Sequence, residues 1–257
     1  MTEPMKSGGS VFSKSLVEFI IRPEEQDLRG CVLVSGFYGI GKVGFIAVNH
    51  MVQTLDARLI GYVVTDFLPP FLSVRDERLI LPFEIYRSED IIFLSAYFEP
   101  YKLEHRSFAQ SVVNWSREVG ISEIVLVGGL DSRLRVQEDL IAKAVYTSKY
   151  KEKHPDTKIP MMDEGLFITG PMALILMYSE IEEFSSVGVM PYAERSRPDP
   201  IAASHAVEIL NDLLHTDCGV DELVQEAESI ENEIQSMEGA LQEQGEEEED
   251  RNRGMFI

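Results

Sequence analysis

The densest concentration of chemically suggestive residues is Ser35-Gly36-Phe37-Tyr38-Gly39-Ile40-Gly41-Lys42-Val43-Gly44. Gly39, Gly41 and Gly44 spell GxGxxG, and Gly36 through Lys42 spell GxxxxGK. Both patterns serve phosphates, because glycines let the backbone approach the ligand closely and the amides opening a helix favour an anion. Asp66 follows at a spacing suited to a ribose contact. Two features oppose this reading. The hydroxyl that should follow the lysine and hold magnesium is Val43, and the loop carries two bulky rings, Phe37 and Tyr38. Equally, the same glycines suit a tight strand-to-helix turn and close packing of the helix on its sheet. The residues favour that structural role for Gly36, Gly39, Gly41, Lys42 and Gly44, with a phosphate site as the alternative.

Other constellations are sparse. His50, His105, His154, His205 and His215 are scattered, with neither HExxH nor a pair at i, i+4, so no metal site is expected. There is no GxSxG. Cys31 and Cys218 form neither a CxxC nor a disulfide framework and read as two inert reduced thiols. Asp131 and Arg133 follow Gly128-Gly129 at the end of an expected strand, where α/β sheets place ligands, though a polar surface loop is the commoner case there. No catalytic residue, metal or cofactor is assigned.

The C-terminal region carries a different pattern. Leu223, Ala227, Ile230, Ile234, Met237 and Leu241 fall at alternating spacings of four and three, a heptad seam that is short for an autonomous coiled coil. Gly245 breaks it, and Glu246-Glu247-Glu248-Glu249-Asp250 is a charge run that should be solvated and disordered. Met255-Phe256-Ile257 then closes the chain with three apolar residues that nothing local can bury. An aromatic anchor beside a free carboxylate, on a mobile linker, is suited to a pocket on another molecule.

These residues must be positioned by the rest of the 257-residue chain, whose 44 acidic and 23 basic side chains give a net charge of -21. That balance argues against nucleic acid as a partner. Residues 221–257 alone hold 13 acidic and 2 basic side chains, which sets them apart in composition. No apolar run is long enough for a bilayer and the start is no signal region, so a cytoplasmic protein without membrane contact is expected. Short apolar runs at Leu16 to Ile21, Cys31 to Ser35, Leu59 to Val64, Ile91 to Ala96, Glu123 to Val127 and Val187 to Met190 read as strands. Helical spacing marks Val43 to Leu55, the face Phe108, Val112, Trp115 and Val119, a helix opened by Pro171, and Pro200 to Leu214. Brief β-prone segments between Phe71 and Tyr86 suggest an inserted hairpin or meander. The alternation predicts an α/β fold with a mostly parallel central sheet flanked by helices over residues 1–219, then a heptad-patterned helix over 220–244 and a disordered acidic tail over 245–257.

The glycine loop from Gly36 to Ala47, the segment Gly165 to Leu176, and Arg197-Pro198-Asp199-Pro200-Ile201-Ala202-Ala203 resemble the proteasome assembly chaperone family, its archaeal members in particular. The similarity spans about residues 10 to 215. It implies a phosphorylase-like α/β fold without catalysis, a structural glycine loop, a homo-oligomer, and binding to the α subunits of the 20S proteasome. Met255-Phe256-Ile257 is similar to the hydrophobic-tyrosine-any tripeptide with which activators and chaperones of that particle enter pockets between α subunits. Phe256 departs from it by lacking the phenol. The resemblance therefore implies a non-enzymatic proteasome-binding chaperone or activator docked through its C-terminal tripeptide. The competing readings are a nucleotide-handling enzyme using residues 36–44 and a general ATP-independent holdase.

Overall fold

A computed structural model of the chain describes residues 16–22, 27–70, 72–75 and 77–225, together with 227 and 229. In chain order its elements are β1 (Val17–Ile21), β2 (Val32–Gly36), α1 (Val43–Thr54), β3 (Arg58–Thr65), β4 (Ser73–Arg75), β5 (Arg78–Ile80), β6 (Phe83–Ser88) and β7 (Ile91–Ala96). There follow α2 (His105–Val119), β8 (Glu123–Val127), β9 (Leu130–Asp131), β10 (Ala142–Tyr146), α3 (Ser148–Lys153), α4 (Gly170–Ile181), β11 (Ser186–Ala193), α5 (Pro200–Leu214) and α6 (Asp221–Gln225). Apart from the hairpin β4–β5, the strands form one sheet in the order β1-β3-β6-β7-β2-β8-β11-β10, with β9 beside β11.

The centre of that sheet is parallel: β7, β2, β8 and β11 run the same way. Their sequences, such as Ile91-Ile92-Phe93-Leu94 and Ile124-Val125-Leu126-Val127, are continuously apolar because helices cover both faces. All eight residues of β11 are buried. The wings are antiparallel, β6, β3 and β1 on one side and β10 on the other. One face is covered by α1 and α5, the other by α2 and α4. Ten consecutive residues of α1, Val43 to Val52, are buried, as befits a helix held between a sheet and a second helix. α5 starts at Pro200 behind Asp199, whose carboxylate accepts the amide of Ala202. α2 ends at Gly120, in the left-handed conformation that glycine tolerates (φ 80°).

The α/β class, with helices flanking a large central sheet, is the one the sequence predicts; the expected mostly parallel sheet is instead mixed, parallel at its centre and antiparallel in both wings. Most expected elements fall within a residue or two of their places, and the inserted segment resolves into the separate β4–β5 hairpin followed by β6. β9, β10 and α3 have no counterpart among the expected elements, and β11 is twice the length read from the sequence. Of the heptad seam, Leu223 is buried in α6, which packs on α5. Ile230, Ile234, Met237, Leu241 and the terminal tripeptide Met255, Phe256 and Ile257 lie outside the described residues. Among the described residues no helix is long and apolar enough to cross a membrane.

Candidate functional site

The glycine loop leaves the sheet at its middle, where β2 ends between β7 and β8. A single turn of 3₁₀ helix over Ile40–Lys42 leads into α1, with Gly41 (φ 62°) and Lys42 (φ 52°) both left-handed. A Cβ on Gly36 would stand 2.2 Å from the carbonyl oxygen of Gly44, and one on Gly44 would stand 2.3 Å from that of Val127. The first turn of α1 therefore lies directly on the ends of β2 and β8. Gly41 combines its positive φ with a close approach to Ala193, 2.8 Å from a Cβ at that position. Its carbonyl accepts the amide of Asp199 at 2.8 Å, so the turn into α5 holds the loop from outside. Gly39 is different: its φ of -137° suits any residue, and a Cβ there would meet no atom within 4 Å. The Lys42 ammonium is turned over the ring of Tyr38, 4.9 Å from its centroid, and that ring packs in turn on Phe45.

Above the carboxyl ends of the parallel strands the loop borders a cavity of about 320 Å³. Residues 37–40 after β2, 127–130 after β8 and 167–172 at the entry to α4 form its walls, with Glu99, Met162 and Met190. β2 continues directly into α1, whereas the chain passes from β8 through β9, β10 and α3 before it returns to this rim at the start of α4. The cavity lies outside the carboxyl ends of the parallel strands, where open α/β sheets bind ligands. The side chains that line it are mostly apolar, with Glu99 the one carboxylate among them, while the glycine-rich segments and Thr169 make nearly half of its surface polar.

The other residues singled out from the sequence are held elsewhere. Asp66 lies just beyond β3, which β6 and β7 separate from β2, and its carboxylate accepts the amide of Leu16 at 2.7 Å. Three strand spacings amount to roughly 14 Å, so it does not flank the glycine loop as a ribose-binding acid must. Asp131 receives the backbone amide and the guanidinium of Arg133, with Arg195 3.8 Å away. Hydrogen bonding from Arg133 lowers its carboxyl to about 2, and the pair closes its own turn. His50 binds the carbonyl of Gly219, His105 that of Pro100, and His154 the carboxylate of Glu123. Among the described residues no three metal-ligating side chains come together. Cys31 and Cys218 are free and buried, and burial pushes both thiols up. Glu99 and Met162 reach the crevice from segments with no motif of their own, and Phe167 from the Gly165 to Leu176 segment. Only the strand order brings them beside the glycine loop.

Residues 33–238 match the PAC2 family. The crystal structure of Pyrococcus furiosus PbaA, an archaeal homolog of proteasome-assembly chaperone, is similar at 26% identity and a TM-score of 0.78, covering 89% of this chain and 99% of that one. That of Pyrococcus furiosus PbaB, an archaeal proteasome activator, is similar at 20% identity and a TM-score of 0.68, covering 86% and 98%. Bos taurus proteasome assembly chaperone 2 is 26% identical over 116 residues, 41% of this chain and 44% of the bovine protein.

Proposed function

This chain is a member of the PAC2 family, and from that premise we propose that it is a non-enzymatic, proteasome-binding chaperone or activator of the cytoplasm. The observation that carries the reading is the likeness to PbaA along nearly the whole length of that protein. PbaB, similar over most of this chain, extends the reading from assembly to activation. In this reading the α/β body, to about residue 219, forms a homo-oligomer. A helix over 220–244 and an acidic tail over 245–257 then present Met255, Phe256 and Ile257 to pockets of the 20S α-ring. Gly36, Gly41 and Gly44 serve packing, with Lys42 turned onto Tyr38.

The test is native mass spectrometry of the full-length chain and of a version ending at Gly254, each mixed with free α subunits and with complete 20S particles. Full-length protein binding the particles, and the shortened one not, is the expected result. Binding of both forms to free α subunits makes the body the chaperone surface. Absence of binding by either form to either target ends the reading.

A further inference from the structure

The cavity above the strand ends plays no part in docking through the tail, and its ligand chemistry is independent of the proteasome reading. Its inner wall is the core itself: Phe37, Met172 and Met190 are all buried. Two features set it apart from an accidental gap. Gly39 borders the mouth with a backbone that accepts any residue and with open space where a Cβ would stand, so the rim here is free of side chain. At the opposite rim Phe167 leaves a whole ring in water, 82% exposed, where a ligand would cover it.

Charge gives the chemistry of that ligand. Glu99 stands at the rim with its side chain 41% exposed. The imidazole beside it is that of His105, whose Nε2 lies 3.5 Å away but is 2.7 Å from the carbonyl of Pro100, an acceptor that claims the hydrogen on that nitrogen. Lys42, the basic residue of the loop, is turned over Tyr38 and is not part of the lining. Apolar side chains interleaved with polar backbone, and one carboxylate at the mouth, match a small organic cation: an apolar body for those side chains and an ammonium for the acid.

We propose that this cavity binds a small primary amine carrying an aromatic or branched apolar body. The body lies among Phe37, Met172 and Met190, the ammonium meets Glu99, and Phe167 covers the outer side. The test titrates the full chain with 2-phenylethylamine and with 3-phenylpropionate, which share the ring and differ in charge, by calorimetry and ligand-observed NMR. The amine should bind saturably and at least roughly tenfold more tightly than the carboxylate, the scale of one charge-assisted hydrogen bond. Glu99→Gln should bring the two within about threefold of each other. Gly39→Leu, which fills the mouth, should abolish amine binding at an unchanged melting midpoint. Should that variant unfold, Phe167→Ala, a surface change, should still weaken the amine several-fold. No saturable amine binding, equal binding of the carboxylate by the unaltered protein, or wild-type affinity in Phe167→Ala overturns the proposal.

Discussion

A methyl group at Gly44 has no room. It would stand 2.3 Å from the carbonyl oxygen of Val127 and 2.9 Å from the Cα of Gly36, and backbone on both sides leaves no flexible side chain to yield. Gly44→Ala and Gly36→Ala must therefore part α1 from the sheet, at a cost of about 1–3 kcal/mol or more. Gly39→Ala meets open space at a φ that alanine adopts freely. It should be neutral or stabilising by about 0.4–1 kcal/mol, because it restricts the unfolded chain. Urea denaturation of the three variants checks this contrast. Equal damage at Gly39 and Gly44 would show that the loop needs Gly39 in a conformation other than this one. The glycine pattern was legible in the sequence, but its division was not: Gly36 is crowded by Gly44 within the motif itself, whereas the close approach at Gly41 and Gly44 comes from Ala193, Asp199 and Val127, which a linear motif does not contain.

At the scale of elements, the base of the sheet is pinned by one buried acid. Glu123 opens β8 and accepts hydrogen bonds from Lys153 at the end of α3, His154 just beyond it and Ser185 ahead of β11. Burial pushes its carboxyl up, but the hydrogen bonds and charges of Lys153 and His154 outweigh that and leave it below the ordinary value. A carboxyl lowered by folding contributes stability that is present above its unfolded value of about 4.3 and is lost as pH falls through the folded value. Glu123→Gln should thus cost about 1–2 kcal/mol near neutral pH, discounted because Lys153 and His154 are partly exposed. The gap to the unaltered protein should hold down to about pH 5 and close in more acid solution. Denaturation curves at stepped pH read this directly, and a gap that widens on acidification contradicts it. The elements around Glu123 also show where the sequence stops being readable. After Glu123, β8 is an apolar run and stands out, whereas α3, Ser148-Lys149-Tyr150-Lys151-Glu152-Lys153, is one polar turn and a half that buries only Tyr150. β10 reads Ala142-Lys143-Ala144-Val145-Tyr146 and is a strand because β11 on one side and residues 160–162 on the other take its hydrogen bonds. Its lysine finds Asp163 only once the chain has folded.

For the whole molecule, the deciding quantity is how many tails act together. Phe256 in place of tyrosine forgoes one hydrogen bond, about 1 kcal/mol, so a single tail is a weak ligand in the proposed docking. Several tails on one oligomer raise avidity by about 10²–10⁴ without any new contact, provided their reach matches the spacing of the pockets. In the proposed docking the heptad-patterned segment and the acidic run after it supply that reach, and over half of the net charge lies in residues 221–257. Mixed oligomers of full-length chains and chains ending at Gly254, prepared at known ratios, resolve the mechanism through the shape of one curve. If one engaged tail suffices, binding to 20S particles stays high until full-length chains are scarce, because nearly every oligomer keeps at least one. If tails act together, binding collapses as soon as shortened chains are admitted, falling as a power of the full-length fraction. The collapsing curve is the expected one, and restoring the phenol with Phe256→Tyr should move it toward the other by making each tail strong enough to act with fewer partners.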